Sequence, residues 1–544
     1  METNSLNRQA LDACRRALNL QNQDPTSKTK GCFDRRFWAW KLIDYPEATF
    51  QRLVSPLSWY ADVCEERIKQ QCVQAVQMGL DFVCSIQNRD GSFDQAYPGE
   101  HSYGATAFLL HDLIQAYDSL TPLINKERSQ NHLDHIHRSA LYLHQSDEGH
   151  AFIANHLAGS ALSLLEAGKL LGEPEFEQHA HQIVHRIIAS QSEEGWYPEY
   201  GGADPGYQTL CVHYLAQFYV LQPDPVYLRS LERSLQFLRF FVHPDGTFAG
   251  EYGSRRTAVY YPGGIALLAA ENSLAREIHM RMLRSIESGK TVGVNDIDVG
   301  NLAPLLSSTI LAAQVVTSKE DDPLSLPYQE TDLEVDLPDA GIVLRGNQRY
   351  YAVLGVSNGG VLKVFNKDDQ TLIYNDCGLL METKAGKAFK SQTLEHSTSY
   401  HVDGNKIKYR AALQPLKRMQ QSPLKFILLR LANITFMRWA WMNELVKKYL
   451  VKLLIRAPQK ENLVREVLLE FLDDSIQVHE VVTGKDLSRV HTISTVPGLL
   501  SIHMASAGYP LSTSTMPVIQ TLHFDQNEEG LARDFTVQMN GEST

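Results

Sequence analysis

The feature that most constrains this chain is a turn that returns about every fifty residues. Gln87-Asn-Arg-Asp-Gly91-Ser-Phe93 is followed by Gln145-Ser-Asp-Glu-Gly149, then Gln191-Ser-Glu-Glu-Gly195-Trp196, then Val242-His-Pro-Asp-Gly246-Thr-Phe248, at spacings of 58, 46 and 51 residues. An acid-glycine pair stops a helix and turns the chain into a loop, because glycine takes the left-handed backbone at no steric cost. A helical pattern precedes each turn, over 73–86, 133–144, 179–190 and 228–241, and another begins after it, near Ser102, Phe152, Gly206 and Arg255. A repeated helix–loop–helix unit cannot bury its apolar stripe alone, so it stacks on its neighbours. Weaker hairpins are read before residue 70 and across 274–316. About six such hairpins predict an incomplete (α/α) toroid whose alternate helices form an inner ring.

In such a ring the starts of the inner helices meet at one end. Counted from its turn glycine, Tyr103 lies 12 residues on, His156 lies 7, Tyr207 lies 12 and Arg256 lies 10. Residues far apart in sequence thereby become neighbours around one cleft. Two stretches carry most of the chemistry there: Phe152-Ile-Ala-Asn155-His156-Leu-Ala-Gly-Ser160, and Glu199-Tyr200-Gly-Gly-Ala-Asp204-Pro-Gly-Tyr207. Each places polar groups at the start of an apolar, helix-patterned run.

A chain of 544 residues exceeds what one hydrophobic core supports. The helical period stops near residue 316, so the toroid is assigned to 1–316. The acidic, proline-bearing stretch 317–339 reads as a linker. Beyond it the period becomes two, as in Tyr350-Tyr-Ala-Val-Leu, Val361-Leu-Lys-Val-Phe and Ile476-Gln-Val-His-Glu-Val-Val, which predicts an antiparallel β-sandwich over 340–544. One insertion, 416–460, interrupts it with many cations and a single acid, Glu444. Lys448, Lys452 and Arg456 recur every four residues beside Phe426, Phe436, Trp439, Trp441 and Tyr449, a pattern suited to the surface of an anionic membrane. A helical insertion packed on the sandwich is the alternative. Its uncharged runs fall far short of the roughly 20 residues that cross a bilayer.

The net charge of −12 argues against nucleic acid as a partner. Seven cysteines without a Cys-x-x-Cys pair suggest reduced thiols, and the polar residues 1–21 lack the apolar core of a leader, so a cytoplasmic location is expected. His179, His181 and His185 are not spaced as a compact metal face, and no phosphate-binding glycine loop, HExxH or Gly-x-Ser-x-Gly motif occurs; neither metal nor cofactor is expected. Arg35, Arg36, Trp38 and their neighbours mix cations with aromatics, which suits a surface that stacks on sugars and pairs with carboxylates. A partly buried aromatic cap on the first helices is the other reading.

Asn155 donates through its amide, His156 donates or carries charge, and Tyr207 moves a proton; Arg35, Arg36, Arg255 and Arg256 are the available cations. Abstracting the proton beside a uronic acid carboxylate requires such a set, because the carboxylate must be neutralised while a base and an acid act. Asn155-His156, followed by Tyr207 in a Gly-Gly-x-Asp-Pro-Gly-Tyr setting, resembles the heparinase II/III-like polysaccharide lyases and their alginate-lyase relatives. The resemblance runs from about residue 30 to 415 and implies the same order of toroid and sandwich. It implies that Asn155 and His156 neutralise a uronate carboxylate and that Tyr207 protonates the leaving glycosidic oxygen. His396-Ser-Thr-Ser-Tyr-His401-Val-Asp-Gly404 is similar to a family segment in the sandwich, which adds His396 to the catalytic candidates. Where many members carry a His-x-His-x-Asp-like segment, this chain has Val364-Phe-Asn366-Lys367-Asp368-Asp369, which leaves the base and any metal site open. Arg35, Arg36, Trp38, Tyr103, Asp204, Arg255 and Arg256 are the candidates for binding an acidic polysaccharide or oligosaccharide. The expected reaction is β-elimination. A uronate C5-epimerase, an inverting hydrolase using Asp90, Glu199 and Asp204, and an inactive glycan-binding protein are the alternatives.

Overall fold

The turn glycines explain how the helices stack. Gly31, Gly91, Gly195 and Gly246 all have φ between 90° and 98°. A Cβ on Gly31, Gly91 or Gly195 would lie 2.0–2.2 Å from the carbonyl oxygen of Met78, Arg138 or Arg233, each in the next outer helix. The glutamine ahead of the turn adds a polar clamp. Gln87 Nε2 donates to Gly91 O at 3.2 Å and to His135 O at 2.9 Å, while Gln191 Nε2 donates to Gly195 O and Ser230 O, both at 2.9 Å. Gln21 does the same for Gly31 and Ala75, so Gln21…Gly31-Cys-Phe33 is a further copy of the turn. Its lysine at position 30, in place of the acid, hid it from the sequence pattern.

The computed structural model describes residues 5–40, 43–123, 125–148, 152–315, 324–394, 399–416, 422–435, 437, 442, 445–446, 463–485, 487–495, 520–526 and 530–539. Its helices are α1 (Ser5–Leu20), the short α2 (Arg35–Trp38) and α3 (Ala48–Gln51), α4 (Val54–Val63), α5 (Glu66–Ile86), α6 (Tyr103–Leu120) and α7 (Lys126–Gln145). There follow α8 (Ala154–Leu171), α9 (Pro174–Ala189), α10 (Pro205–Leu221), α11 (Pro225–Leu238), α12 (Pro262–Leu268), α13 (Ser273–Glu287), α14 (Val299–Gln314) and, far downstream, α15 (Pro423–Ile434). The even-numbered helices α4 to α14 form the inner ring, each against the next, and α14 comes round to α1, α3 and α4. Helices α6, α8 and α10 are buried on nearly every side, whereas α5, α7, α9, α11 and α13 bury one apolar stripe, as an outer layer must.

The β part begins with a five-stranded antiparallel meander: β1 (Asp332–Leu337), β2 (Ile342–Asn347), β3 (Tyr350–Gly355), β4 (Val361–Asn366) and β5 (Thr371–Asp376). β1 lies inside the stretch read as linker. Two further sheets follow, one of five strands and one of six built around Lys406–Ala412, Leu463–Phe471 and Ser475–Gly484. The sandwich therefore has three sheets among the described residues. Both faces of the meander are buried. Ile342, Leu344, Tyr351 and Val353 join the core of the helical ring, while Val343, Tyr350, Ala352 and Leu354 face Val467, Leu469 and Ile476 of the six-stranded sheet. Tyr351 Oη donates to Phe240 O, and buried Lys363 on β4 pairs with partly buried Glu251 of the ring. Ring and sheet thus share one packed core.

Candidate active site

The cleft end of the ring is set by how α8 and α10 begin. Ile153 and Glu199 form an isolated antiparallel bridge just before α8, joining the two chemistry-bearing stretches. α10 starts on Asp204, whose Oδ1 accepts from Tyr207 N at 2.9 Å, with Pro205 in the first turn, a favourable start for a helix. Asp204 is fully buried, and its Oδ2 accepts from the backbone N–H of Arg255 at 2.7 Å. It holds two loops together and offers nothing to a sugar, which corrects its assignment as a binding residue.

Asn155 is 1% exposed and clasped by fully buried Glu199. Glu199 Oε1 accepts from Asn155 N at 2.8 Å and Oε2 from Asn155 Nδ2 at 2.7 Å, leaving Asn155 Oδ1 with no hydrogen-bond partner. Burial pushes the Glu199 carboxyl up to about 8; the bonds from Asn155 work against that shift, and nearby Asp204 adds to it. Next along α8, His156 Nδ1 lies 2.8 Å from Glu148 Oε2. A neutral imidazole meets a carboxylate by donating Nδ1–H, which fixes the tautomer and leaves Nε2 as the free acceptor. The ring stands edge-on to Phe108 at 5.5 Å and to Tyr200 at 6.2 Å. Its place requires Gly104, where a Cβ would come within 2.5 Å of His156 Nδ1.

Tyr200 is the wedge of the site. It holds a left-handed φ of 55°, and the Arg255 guanidinium lies over its ring at 3.7 Å. Burial raises its phenol, which keeps the proton, and Arg255, Tyr207, Glu199 and Glu148 are the charges and phenol that act on it. Tyr207, half-buried in the first turn of α10, therefore shares one neighbourhood with Tyr200, Arg255 and the His156–Glu148 pair. Arg256, left-handed at φ 62°, turns away, donates to Gln392 O at 3.4 Å and is pushed down to about 10 by burial. Arg255 and Arg256 stand in the loop before α12, which starts later than the sequence pattern suggested.

The remaining candidates divide. Tyr103 opens α6, but its hydroxyl is buried and donates to Ser160 Oγ at 2.8 Å. Arg36 pairs with Asp34 at 3.0 Å and Glu47 at 2.5 Å and lies over Phe50. Trp38 donates from Nε1 to Leu20 O at 2.9 Å and carries exposed Arg35 at 5.0 Å from its ring centroid. This segment forms an aromatic cap on the first helices, with Arg36 and Trp38 still partly exposed. His396 lies outside the described residues. Asn366 and Lys367 serve the fold, donating to Met539 O and to Glu330 O. Among the described residues no three His, Cys, Asp or Glu side chains converge as metal ligands.

The family model of the ulvan lyase N-terminal domain matches residues 51–265, from just before α4 into α12, and so spans every helix that lines the cleft from α4 to α10. Residues 51–265 resemble an ulvan lyase domain. No curated protein sequence matches the chain. Among solved structures, the Streptomyces coelicolor A3 chondroitin AC lyase, determined with chondroitin sulphate, is 12% identical over 90% of this chain and 67% of its own, with a TM-score of 0.55, so the two share a fold. Heparinase III is 9% identical over 83% of this chain and 64% of its own at a TM-score of 0.48. The unsaturated glucuronyl hydrolase of Bacillus sp. GL1 is 12% identical over 57% of this chain and 96% of its own at 0.40. The likeness is to polysaccharide lyases, in sequence to an ulvan lyase domain and in fold to a chondroitin lyase. Within the ulvan-lyase-like domain, Glu148, Tyr200 and Gly104 complete the site and were not singled out in the sequence.

Proposed function

We propose that this protein is a polysaccharide lyase that cleaves a uronic-acid glycan by β-elimination. The observation that carries the reading is the Glu148-oriented His156 facing Tyr200, with Tyr207 and Arg255 beside it. In this reading Arg255 neutralises the uronate carboxylate, Asn155, buried and bonded to Glu199, fixes the start of α8, and His156 Nε2 takes the C5 proton. The C4–O bond then breaks, its electrons leave on the glycosidic oxygen, and C4=C5 forms. Tyr207 gives the leaving oxygen its proton. Preorganised donors aimed at the developing charge supply most of the stabilisation in such a step. The acids required by a hydrolase are occupied: Asp204 is a buried cap, Glu199 clasps Asn155, and Asp90 binds His101 at 2.7 Å.

The test is a panel of uronic-acid polysaccharides read by ultraviolet absorbance of the unsaturated product. Growth of that absorbance on at least one glycan is expected, with a loss of about two orders of magnitude or more in Tyr207→Phe and His156→Gln. New reducing ends without absorbance would instead establish hydrolysis, and full activity in a folded Tyr207→Phe protein would remove Tyr207 from the mechanism.

A further inference from the structure

Helix α15, inserted between two strands of the β part, inverts the usual order of a surface helix. Leu424, Ile427, Leu428, Leu431 and Ile434 recur at i, i+3, i+4, i+7 and i+10, which is one apolar stripe. A globular protein turns such a stripe inward. Here each of these side chains is 50–66% exposed, and α15 has no buried residue. The opposite side holds the body: Arg430 makes a two-point ion pair with Asp44 at 2.8 Å and lies over Tyr45. Four residues before Asp44, the Trp40 side chain is fully exposed. More than half of the large apolar side chains left exposed among the described residues fall between Leu424 and Leu445. Single exposed apolar residues are ordinary, but a patch of this kind marks a binding surface.

Charge identifies the occupant. The sequence from 417 to 460 carries ten lysines and arginines against one acid, Glu444, in a chain whose net charge is −12. A local cationic excess on an acidic protein is selective for an acidic counter-surface, and an outward apolar stripe beside cations is how a helix lies at a lipid interface. No helix among the described residues is long and apolar enough to cross a membrane, so the contact is peripheral. We propose that the outward face of α15, with Trp40, docks on an anionic lipid bilayer. The inference is independent of the reaction proposed above.

The full chain is sedimented with vesicles of phosphatidylcholine alone and with a minority of phosphatidylglycerol, at low and high salt. The expected result is recovery with the anionic vesicles only, weakened by salt because charge attraction is screened. The double variant Leu428→Glu, Leu431→Glu changes two exposed sites, keeps good helix formers and should retain the wild-type melting temperature. Its bound fraction should fall about tenfold or more, since burying apolar area drives insertion. Should it fail to fold, Leu424→Glu and Trp40→Ala are compared singly. No sedimentation, equal binding to neutral vesicles, or a folded double variant that binds like wild type would each overturn the proposal. A dimer that the double variant splits, without vesicle binding, would also overturn it and assign the face to a second copy of the chain.

Discussion

Proton ownership decides the behaviour of single residues in this cleft. Glu199 is sealed from water, and burial holds its carboxyl up to about 8. The folded protein therefore keeps a proton that the unfolded chain has already lost above the ordinary glutamate range near 4.5. Where the native state binds more protons, stability falls as pH rises, here from roughly pH 4.5 to 8. The denaturation midpoint should drop across that window, and Glu199→Gln, which stays neutral, should reduce the slope; an unchanged slope would show that Glu199 does not titrate there. A protonated Glu199 has a hydroxyl to give, and the unpartnered Oδ1 of Asn155 is the acceptor beside it once the amide rotates. Gly104→Ala probes the neighbouring histidine. The new methyl would fall 2.5 Å from His156 Nδ1 and push the ring off Glu148. Alanine in a helix gains about 1 kcal/mol over glycine, so stability should hold while turnover falls by about one to two orders of magnitude. Equal kcat in the two proteins would show that His156 tolerates the shift. The placing of Asn155, His156 and Tyr207 at the starts of inner helices was legible because the repeat marks where those helices begin. Glu148 was not, since an acid before the turn glycine occurs in several repeats. In two other turns that acid bonds within its own loop, Asp90 accepting from Ser92 N at 3.1 Å and Asp245 from Thr247 N at 2.9 Å, whereas Glu148 reaches the next helix.

Among the elements, the turn is the unit of construction, and its glycines are not equivalent to the helix-ending glycine at 172. Gly195 has φ 98° and the Arg233 carbonyl 2.2 Å from its absent Cβ, while Gly172 has φ 73° and nothing within 4 Å. Gly172→Ala meets only backbone strain, about 1 kcal/mol. Gly195→Ala must also move the outer helix α11, and a loss of about 3 kcal/mol or more is expected in denaturant unfolding. Similar losses in both would mean that the close approach carries little weight. Most helices were readable from their period and turns, and so were the central strands. β1 was missed for a physical reason. It is an edge strand whose Asp332, Glu334 and Asp336 are solvent-facing, so its alternation looked like an acidic tether. The meander's burial on both faces was equally invisible, because period-two patterns name a face without naming what covers it.

For the whole molecule, the shared core predicts that ring and meander unfold together. Lys363 and Glu251 are the charged pair within it, and each is held in its ionised form by the other: the lysine is raised and the carboxyl lowered. Lys363→Ala strands a largely buried carboxylate and should cost about 2–3 kcal/mol, much of it recovered by adding Glu251→Gln. Both variants should melt in one transition for ring and meander; two separate transitions would mean that the halves are only neighbours. The closing of the ring carries a consequence in time. Arg16 on α1 donates to Val294 O at 3.1 Å, across 278 positions of sequence, and α1 packs on α14. At synthesis rates of about 5–20 residues per second, α1 emerges some 15–60 s before the partner that will cover it. Its buried face, with Leu6, Ala10, Cys14 and Ala17, meets α4 early, where Cys14 reaches Pro56 O, but the side that packs on α14 is open for that whole interval. Helix α1 is thus fully sheltered only late, and a newborn chain depends on whatever keeps the rest of that stripe from strangers until the circle is complete.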